Sequence, residues 1–353
     1  MTAQELAEQN IGQDLDDLMN LDPRGYGVCR ILYAAARKRA GQPLAMLAAK
    51  RLLQAVGQGD FVYILTGFVL LPHKKAEMDG IIGSVMLARA LVKALGAKPV
   101  VVCPQDNLLA LRSLAPVAGL HLYEDLEELR AMPIAMGSVV FTKDAARARA
   151  QADALLAAAR PAAVVSIEAP GANAQGVYHN AWGQDVSDLE AKSDVLFRVL
   201  QQAGVLNIAI GDLGNEIGMG AIADQLSRYI PGAADHPQGG IAANTAADYL
   251  VTATVSDWGA YALCAALAYL CNDPDILHTR DMQREAMVTA SRSGMVDQYG
   301  WLIPAIDGIA CEMHLAQVDM MRACVTHPAK LRAVCDYWFQ GVLSLGYFDE
   351  ERP

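Results

Sequence analysis

The residues best suited to chemistry lie in Gly211-Asp212-Leu213-Gly214-Asn215-Glu216-Ile217-Gly218-Met219-Gly220, which follows the uncharged apolar run 205–210. Two acids, an amide and four glycines occupy a place where a buried strand should turn into a helix. A plain turn needs a glycine or two, not carboxylates as well. Paired carboxylates whose pKa values are driven apart serve as general base and general acid. As hard oxygen ligands they also suit Mg²⁺, Mn²⁺ or Ca²⁺, and a bound divalent ion would polarise a carbonyl or activate water.

Further polar groups recur at the ends of apolar runs. Thr66 follows 61–65, Glu168 follows 163–167 and precedes Pro170-Gly171, and Ser256-Asp257 follows 250–255. Glu77-Met78-Asp79-Gly80 sits just before a helical stretch. Each has a simpler reading beside the chemical one. Asp79, Asp212, Asn215, Ser256 and Asp257 suit helix N-caps, where an oxygen accepts backbone N–H bonds at the positive end of the dipole. Glu168 could pair with an arginine. Arg292, in Ser291-Arg292-Ser293-Gly294, is either a bidentate clamp for a substrate carboxylate or a surface charge. His314, between Met313 and Leu315, fits a satisfied core histidine.

Groups this far apart in sequence meet only if the fold gathers them. The short apolar runs 61–65, 100–103, 139–141, 163–167, 206–210 and 250–255 are continuous rather than alternating, as expected of strands covered on both faces. Helical stretches at 82–95, 145–159, 188–203 and 221–229 separate them. The alternation predicts an α/β fold, a three-layer sandwich with a mostly parallel sheet, in which ligands bind at the carboxyl ends of the strands. Residues 1–58 read as an N-terminal helical segment packed on the core, with apolar spacing of three and four at 32–36 and 44–56. Residues 59–353 read as the α/β domain, one structural unit; 233–245 reads as a surface loop or flap, 258–271 as a core helix, and 326–353 as a helix and short tail.

The chain has 353 residues and a formal net charge of −11, which disfavours nucleic acid and anionic membrane as partners. Its seven cysteines are irregularly spaced with no Cys-x-x-Cys, pointing to buried thiols in a reducing compartment. The first 18 residues lack the basic start and apolar core of a secretory signal, and 258–271 is shorter than the ~20 residues needed to span a bilayer. A cytoplasmic protein is expected, and a homo-oligomer on general frequency. Gly-x-Gly-x-x-Gly, a Walker loop, Gly-x-Ser-x-Gly and His-Glu-x-x-His are absent, so no nucleotide cofactor is expected.

In order along the chain stand Asp22-Pro23-Arg24-Gly25, Thr66-Gly67-Phe68, Glu77-Met78-Asp79-Gly80, Ser166-Ile167-Glu168, Gly176-Val177-Tyr178-His179-Asn180, the 211–220 segment, Ser256-Asp257-Trp258-Gly259-Ala260-Tyr261 and Ile306-Asp307-Gly308. The ordered set resembles the D-glutamate cyclase-like family from Leu15 to about Ala323. The resemblance implies a hydro-lyase that converts D-glutamate to 5-oxo-D-proline with loss of water. It brings Gly67, Tyr178, Asn180 and Trp258 into the candidate substrate-binding set, beside Thr66, Asp79, Asn215, Ser256 and Arg292. The chain departs from the family pattern at Ala169 and Ala172, where basic residues are usual, at Val69 in place of Pro and at Leu213 in place of Gly. Two missing cations suggest a substrate with one carboxylate fewer.

Lactam formation needs an amine freed of a proton, an activated carboxyl group and a stabilised oxyanion. The candidates are Glu168 or Asp212 as base and Glu216 as acid, with backbone N–H groups after Gly214 or a bound cation holding the oxyanion. Asp79, Glu168, Asp212 and Glu216 are the candidate metal ligands. The alternatives are a hydrolase opening a small cyclic amide with the same residues, and a non-catalytic small-molecule binding module.

Overall fold

The structure is a computed structural model that describes residues 1–235, 237–331 and 336–350. Three helices come first: α1 (Ala3–Met19), α2 (Val28–Ala40) and α3 (Leu44–Ala55). Thr2 opens α1 with a capping box: its hydroxyl accepts from the Glu5 N–H and the Glu5 carboxylate accepts from the Thr2 N–H. The buried Asp16 of α1 accepts from the N–H groups of Leu44 and Ala45, so one helix supplies the N-terminal cap of another. Helices α1 and α3 both pack on the central helix α10 (Ser256–Leu270).

The sheet begins with β1 (Phe61–Leu65), in which all five residues are buried, as befits a strand covered on both faces. A short antiparallel hairpin, β2 (Val69–Leu70) and β3 (Lys75–Ala76), leads into α4 (Ile81–Leu95). Then come β4 (Lys98–Cys103), α5 (Leu108–Val117), β5 (His121–Tyr123), α6 (Leu126–Ala131), β6 (Ala135–Val140) and α7 (Ala145–Ala158). The chain continues through β7 (Ala163–Ile167), α8 (Ser193–Gln202), β8 (Leu206–Gly211), α9 (Ala223–Tyr229) and β9 (Tyr249–Thr252) before entering α10. After α10 follow α11 (Arg280–Arg292), the hairpin of β10 (Ala305–Ile306) and β11 (Ile309–Ala310), α12 (Cys311–Leu331), α13 (Asp336–Ser344) and α14 (Tyr347–Glu350).

Seven strands form one sheet in the order β5-β6-β4-β1-β7-β8-β9, every pair parallel. Helices α4 and α10 pack on the sheet and on each other, while α7 and α8 pack together with α8 against β7 and β8. The protein is the three-layer α/β sandwich that the strand–helix alternation predicts. From β1 the chain moves outward to β4 and beyond, then returns to the opposite side of β1 with β7 and continues to β8 and β9. The carboxyl ends of β1 and β7 therefore flank a topological switch point, where adjacent connections diverge and leave a crevice.

Several elements differ from the sequence-based expectation. The edge strand β5 and the helices α5, α11 and most of α12 are additional. The strand expected at 139–141 is longer and begins at Ala135, and that expected at 250–255 ends at Thr252. The 211–220 segment does not enter a helix directly. It runs as an irregular loop to a single 3₁₀ turn at Gly220–Ile222, and α9 starts only at Ala223. The 233–245 stretch is more than a surface loop: Ala243 N–H donates to the Gly214 carbonyl and Gly218 N–H to the Thr245 carbonyl, lacing it to the 211–220 segment. Of the tail expected at 326–353, residues 332–335, including Cys335, and 351–353 lie outside the described residues. No helix among the described residues is long and apolar enough to cross a membrane.

Candidate active site

At the switch point the backbone delivers Glu168 in an unusual way. Glu168 follows β7 with φ of 45°, left-handed for a residue with a side chain, which costs on the order of 1–3 kcal/mol and marks a position held for a purpose. The main chain is pinned on both sides: Glu168 N–H donates to the Ile210 carbonyl at 3.2 Å, and its carbonyl accepts from Gly67 N–H at 3.1 Å. Its Oε2 accepts from the Ser256 hydroxyl at 2.5 Å, which leaves Oε1 for other work. The fit is tight: a Cβ at Gly80 would lie 2.6 Å from both the Glu168 Cβ and the Thr66 Oγ1.

Asp79 and Asp257 lock the entry to the site from the other layer. The Asp79 carboxylate accepts from Ser256 N–H at 3.0 Å, Asp257 N–H at 2.8 Å and Gly80 N–H at 2.9 Å. Asp257 in turn accepts from Gly80 N–H at 2.9 Å and Gly83 N–H at 2.7 Å. Asp79, which precedes α4, thus caps α10, while Asp257 in α10 caps α4. The sequence-based reading of Asp79 as cap of its own following helix is corrected: the partner across the layer takes that place.

Asp212 and Asp307 form a second pair. Asp307 lies in the β10–β11 turn with φ of 56° and hydrogen-bonds to the Asp212 carboxyl. Arg24 sits between them, its Nη1 3.2 Å from Asp307 Oδ2 and its Nη2 3.8 Å from Asp212 Oδ2, while Nη2 also donates to the Thr254 carbonyl at 2.6 Å. Glu77 is buried nearby, on a backbone bridge to Val296.

Glu216 has a different task. Its Oε1 accepts from Asp212 N–H at 2.9 Å and Leu213 N–H at 2.7 Å, and its Oε2 accepts from Gly214 N–H at 2.7 Å. The N–H groups of 212–214 are thus taken by a side chain of the same loop, and among the donors after Gly214 expected to hold an oxyanion, Ile217 N–H donates to the Ala169 carbonyl and Gly218 and Gly220 N–H to the Thr245 carbonyl. Asn215 is likewise engaged, donating from Nδ2 to the His179 carbonyl at 3.0 Å.

Burial is the main force on these acids. Glu77, Asp79, Glu168 and Asp212 are all pushed well above the usual carboxylate range, first by loss of hydration and then by the charge of neighbouring carboxylates, Asp307 for Glu77, Asp79 and Asp212 and Glu216 for Glu168. Asp257 rises to about 7 through burial, opposed by the N–H groups of Gly83 and Gly80 and the Tyr261 hydroxyl. Asp307 is raised by burial and held back by Arg24 and by its hydrogen bond to Asp212. A buried carboxylate without a counter-charge takes up a proton or a cation. Two sets of carboxylate oxygens, Asp79/Asp212/Asp307 and Glu168/Asp212/Glu216, lie within 4.8 Å of one another and share Asp212. Their hard oxygen donors fit Mg²⁺, Mn²⁺ or Ca²⁺ rather than a soft metal.

The fold thus brings together Glu168, Asp212, Glu216, Asp79 and Ser256, with Thr66 and Gly67 at the adjoining end of β1. It engages other predicted residues elsewhere. Trp258 is fully buried and its Nε1 donates to His314 Nδ1 at 2.9 Å, so it is a core residue, and His314 is the satisfied histidine expected. The Tyr178 hydroxyl donates to Asp194 Oδ1. The Asn180 side chain closes a turn, accepting from Trp182 and Gln184 N–H. Arg292 is exposed in the last turn of α11. Arg24 and Asp307 were missed as chemical groups although both stand in the ordered motifs. The available signals were a lone cation inside a Pro/Gly turn and an Asp-Gly pair joining two short apolar stretches.

The family described as D-glutamate cyclase-like, C-terminal, matches residues 15–322. Human mitochondrial D-glutamate cyclase is 37% identical over 108 residues, a stretch that spans 30% of this chain and 17% of the human protein. With the family match running from α1 into α12 and taking in every acid of the crevice, the chain belongs to the D-glutamate cyclase-like family.

Proposed function

We propose that the protein is a cyclase of the hydro-lyase type, forming a lactam from a small amino acid by intramolecular dehydration, as in D-glutamate to 5-oxo-D-proline. The observation that carries this reading is the meeting of Glu168 with the Asp212–Asp307 pair at the β1/β7 switch point, every member buried and Arg24 placed between the two aspartates. The substrate amine attacks its own distal carboxyl carbon; a C–N bond forms, a C–O bond breaks, and the oxygen leaves as water. Glu168, oriented by the Ser256 hydroxyl, takes the amine proton on Oε1. Asp212, protonated and hydrogen-bonded to Asp307, delivers a proton to the departing hydroxyl. Burial raises both carboxyl groups, but the Ser256 hydroxyl donates to Glu168 and favours its ionised form, while the charges of Asp307, Glu168 and Glu216 oppose ionisation of Asp212, and this difference divides base from acid work.

Glu216 acts in this reading as a positioning residue that shapes the loop carrying Asp212, rather than as the acid. In a metal-loaded form Asp79, Asp212 and Asp307 would be ionised and would hold a hard divalent ion, which would polarise the carboxyl group under attack in place of proton delivery by Asp212. Ala169 and Ala172 are buried, and the absence of a cation at either position favours a substrate with fewer carboxylates than the family's named one.

The test is a screen of D- and L-glutamate, related amino acids and their lactams, with and without Mg²⁺ or Mn²⁺, read by mass. Loss of water supports cyclisation; gain of water on a lactam indicates the hydrolytic direction; no change with any compound rejects catalysis of this class. Glu168→Gln should lower turnover by about 10²-fold or more with little change in unfolding. Full activity in that variant would remove Glu168 from the chemistry.

A further inference from the structure

One fully buried side chain beside this site has no role in the chemistry above. Asn107 ends a 3₁₀ turn after β4, at the same edge of the sheet as Thr66 and Glu168. Its main-chain N–H donates to the Pro104 carbonyl, but neither Oδ1 nor Nδ2 of its carboxamide has a hydrogen-bonding partner among the described residues. Leaving a buried amide unpaired costs stability, so a group with no partner in the protein points to one supplied from outside. The carboxamide lies against Gly67: a Cβ there would sit 2.8 Å from Oδ1 and 3.2 Å from Cγ. Gly67 N–H is bonded to the Glu168 carbonyl, and the adjacent Thr66 hydroxyl, buried beside the Glu168 side chain, is also without a hydrogen-bonding partner among the described residues. The open hydrogen-bonding capacity at the end of β1 therefore adjoins the residue that carries the chemistry.

A carboxamide offers a donor and an acceptor side by side on one edge. A five-membered lactam, whose amide is held cis by the ring, offers the complementary acceptor and donor on its own edge. An open-chain amino acid has no such edge: its ammonium only donates and its carboxylate only accepts. We propose that Asn107 recognises the cyclic product through a two-bond contact to the lactam amide, so that the site binds the lactam by its amide edge rather than by its carboxylate. This assignment rests on the lactam-forming reading above and adds to it the group that tells product from substrate.

Binding can be tested without turnover. Isothermal titration on the intact protein compares 5-oxo-D-proline, 2-pyrrolidinone and N-methyl-2-pyrrolidinone. 2-Pyrrolidinone keeps the amide edge and lacks a carboxylate; the N-methyl compound lacks the donor. Wild type should bind 2-pyrrolidinone at least about tenfold more tightly than its N-methyl derivative, the difference expected for losing one buried hydrogen bond and leaving its partner unpaired. Asn107→Asp, which replaces the amide donor with an acceptor, should weaken 5-oxo-D-proline by a similar factor, and Asn107→Leu should do so further. The ligand-side comparison stands even if a variant folds poorly. Equal binding of the two pyrrolidinones, or no binding of any lactam by wild type, overturns the inference. Lactam binding with the expected preference but no water loss from any amino acid would uphold Asn107 and reject the cyclase reading. Water loss with lactam affinity unchanged in well-folded Asn107 variants would do the reverse.

Discussion

Raising the pH from 5 to 7 should weaken the fold, because the buried acids of the crevice, with Asp16 and Glu190 outside it at about 7 and about 8, give up protons that they hold more tightly when folded. Asp257 is carried from its ordinary 3.8 to about 7 in the folded state. A carboxyl raised by folding binds its proton more tightly in the native than in the unfolded chain. The stability it confers is complete below pH 3.8 and is lost as the pH climbs towards 7. The gap of about three pH units corresponds to about 4 kcal/mol at 1.36 kcal/mol each, of which about 2 kcal/mol falls between pH 5 and 7. Glu77, Asp79, Glu168 and Asp212 shift in the same direction, so the decline should continue above pH 7. These groups are close neighbours and their contributions do not add. Carboxylates shifted the other way, such as the mostly exposed Asp185, drop out of this window, but the buried His278 and His314, held down to about 3 and about 4, gain stability as the pH rises to 6.5 and offset part of the decline below that point. Against a typical total of 5–15 kcal/mol, a loss of this size is plain in urea unfolding at pH 5, 6, 7 and 8. In the doubly substituted Asp212→Asn/Asp307→Asn protein the slope should flatten, because less negative charge remains to oppose ionisation of the rest. A wild-type stability that is flat or rises from pH 6.5 to 8 in metal-free buffer, above the range in which His278 and His314 act, would show that the acids are compensated by something other than protons.

Other substitutions separate structural from chemical roles. Glu216→Gln removes an acceptor from the three N–H groups of Asp212, Leu213 and Gly214; it should destabilise by about 1–3 kcal/mol and lower turnover without changing which substrates are used, as denaturation and kinetics on the active compound would show. Trp258→Phe breaks the indole bond to His314, so unfolding should shift by about 1–3 kcal/mol while kcat and KM stay within about twofold; a large drop in kcat alone would return Trp258 to the site. Arg24→Met takes away the cation between Asp212 and Asp307, and its loss of melting temperature should be greater at pH 8 than at pH 5.5; an equal loss at both would mean that the guanidinium matters mainly through its bond to the Thr254 carbonyl.

The sheet is legible in the sequence because a strand buried on both faces, such as Phe61–Leu65, must be apolar throughout, and that requirement leaves a mark at each central strand. β5 escapes because it is an edge strand of three residues, partly exposed, with no such demand. The site is legible for a related reason: acids that end apolar runs lie at one edge of a parallel sheet whatever the strand order. What cannot be read is each acid's partner. Asp79 looks like the cap of the helix it precedes, and only the packing of α4 on α10 shows that its acceptor oxygens face the neighbouring helix. Trp258 is adjacent in sequence to two site residues, but one step along a helix turns a side chain by about 100°, and that turn sends the indole into the core. Arg24 and Asp307 are 283 positions apart, and the ion pair joining them leaves no local pattern.

The exchange of caps between α4 and α10 explains how a crevice so rich in acid keeps its shape. An aspartate that caps its own helix fixes one end of one element. Asp79 and Asp257, each capping the other's helix, fix the two N-termini against one another, and both ends point at the strand edge where Glu168 stands. The partial positive charges at those two N-termini face the acids and offset part of their mutual repulsion without introducing a cation that would neutralise Glu168. Ser256 joins the two arrangements, since its N–H serves Asp79 while its hydroxyl serves Glu168. A change at Asp257 should therefore reach Glu168 through Ser256. Asp257→Asn, which keeps one acceptor for Gly80 and Gly83, should preserve more activity than Asp257→Ala, and the residual defect should appear in kcat and its pH profile more than in KM. If both variants lost activity only in proportion to the unfolded fraction, the cap exchange would be a matter of stability alone.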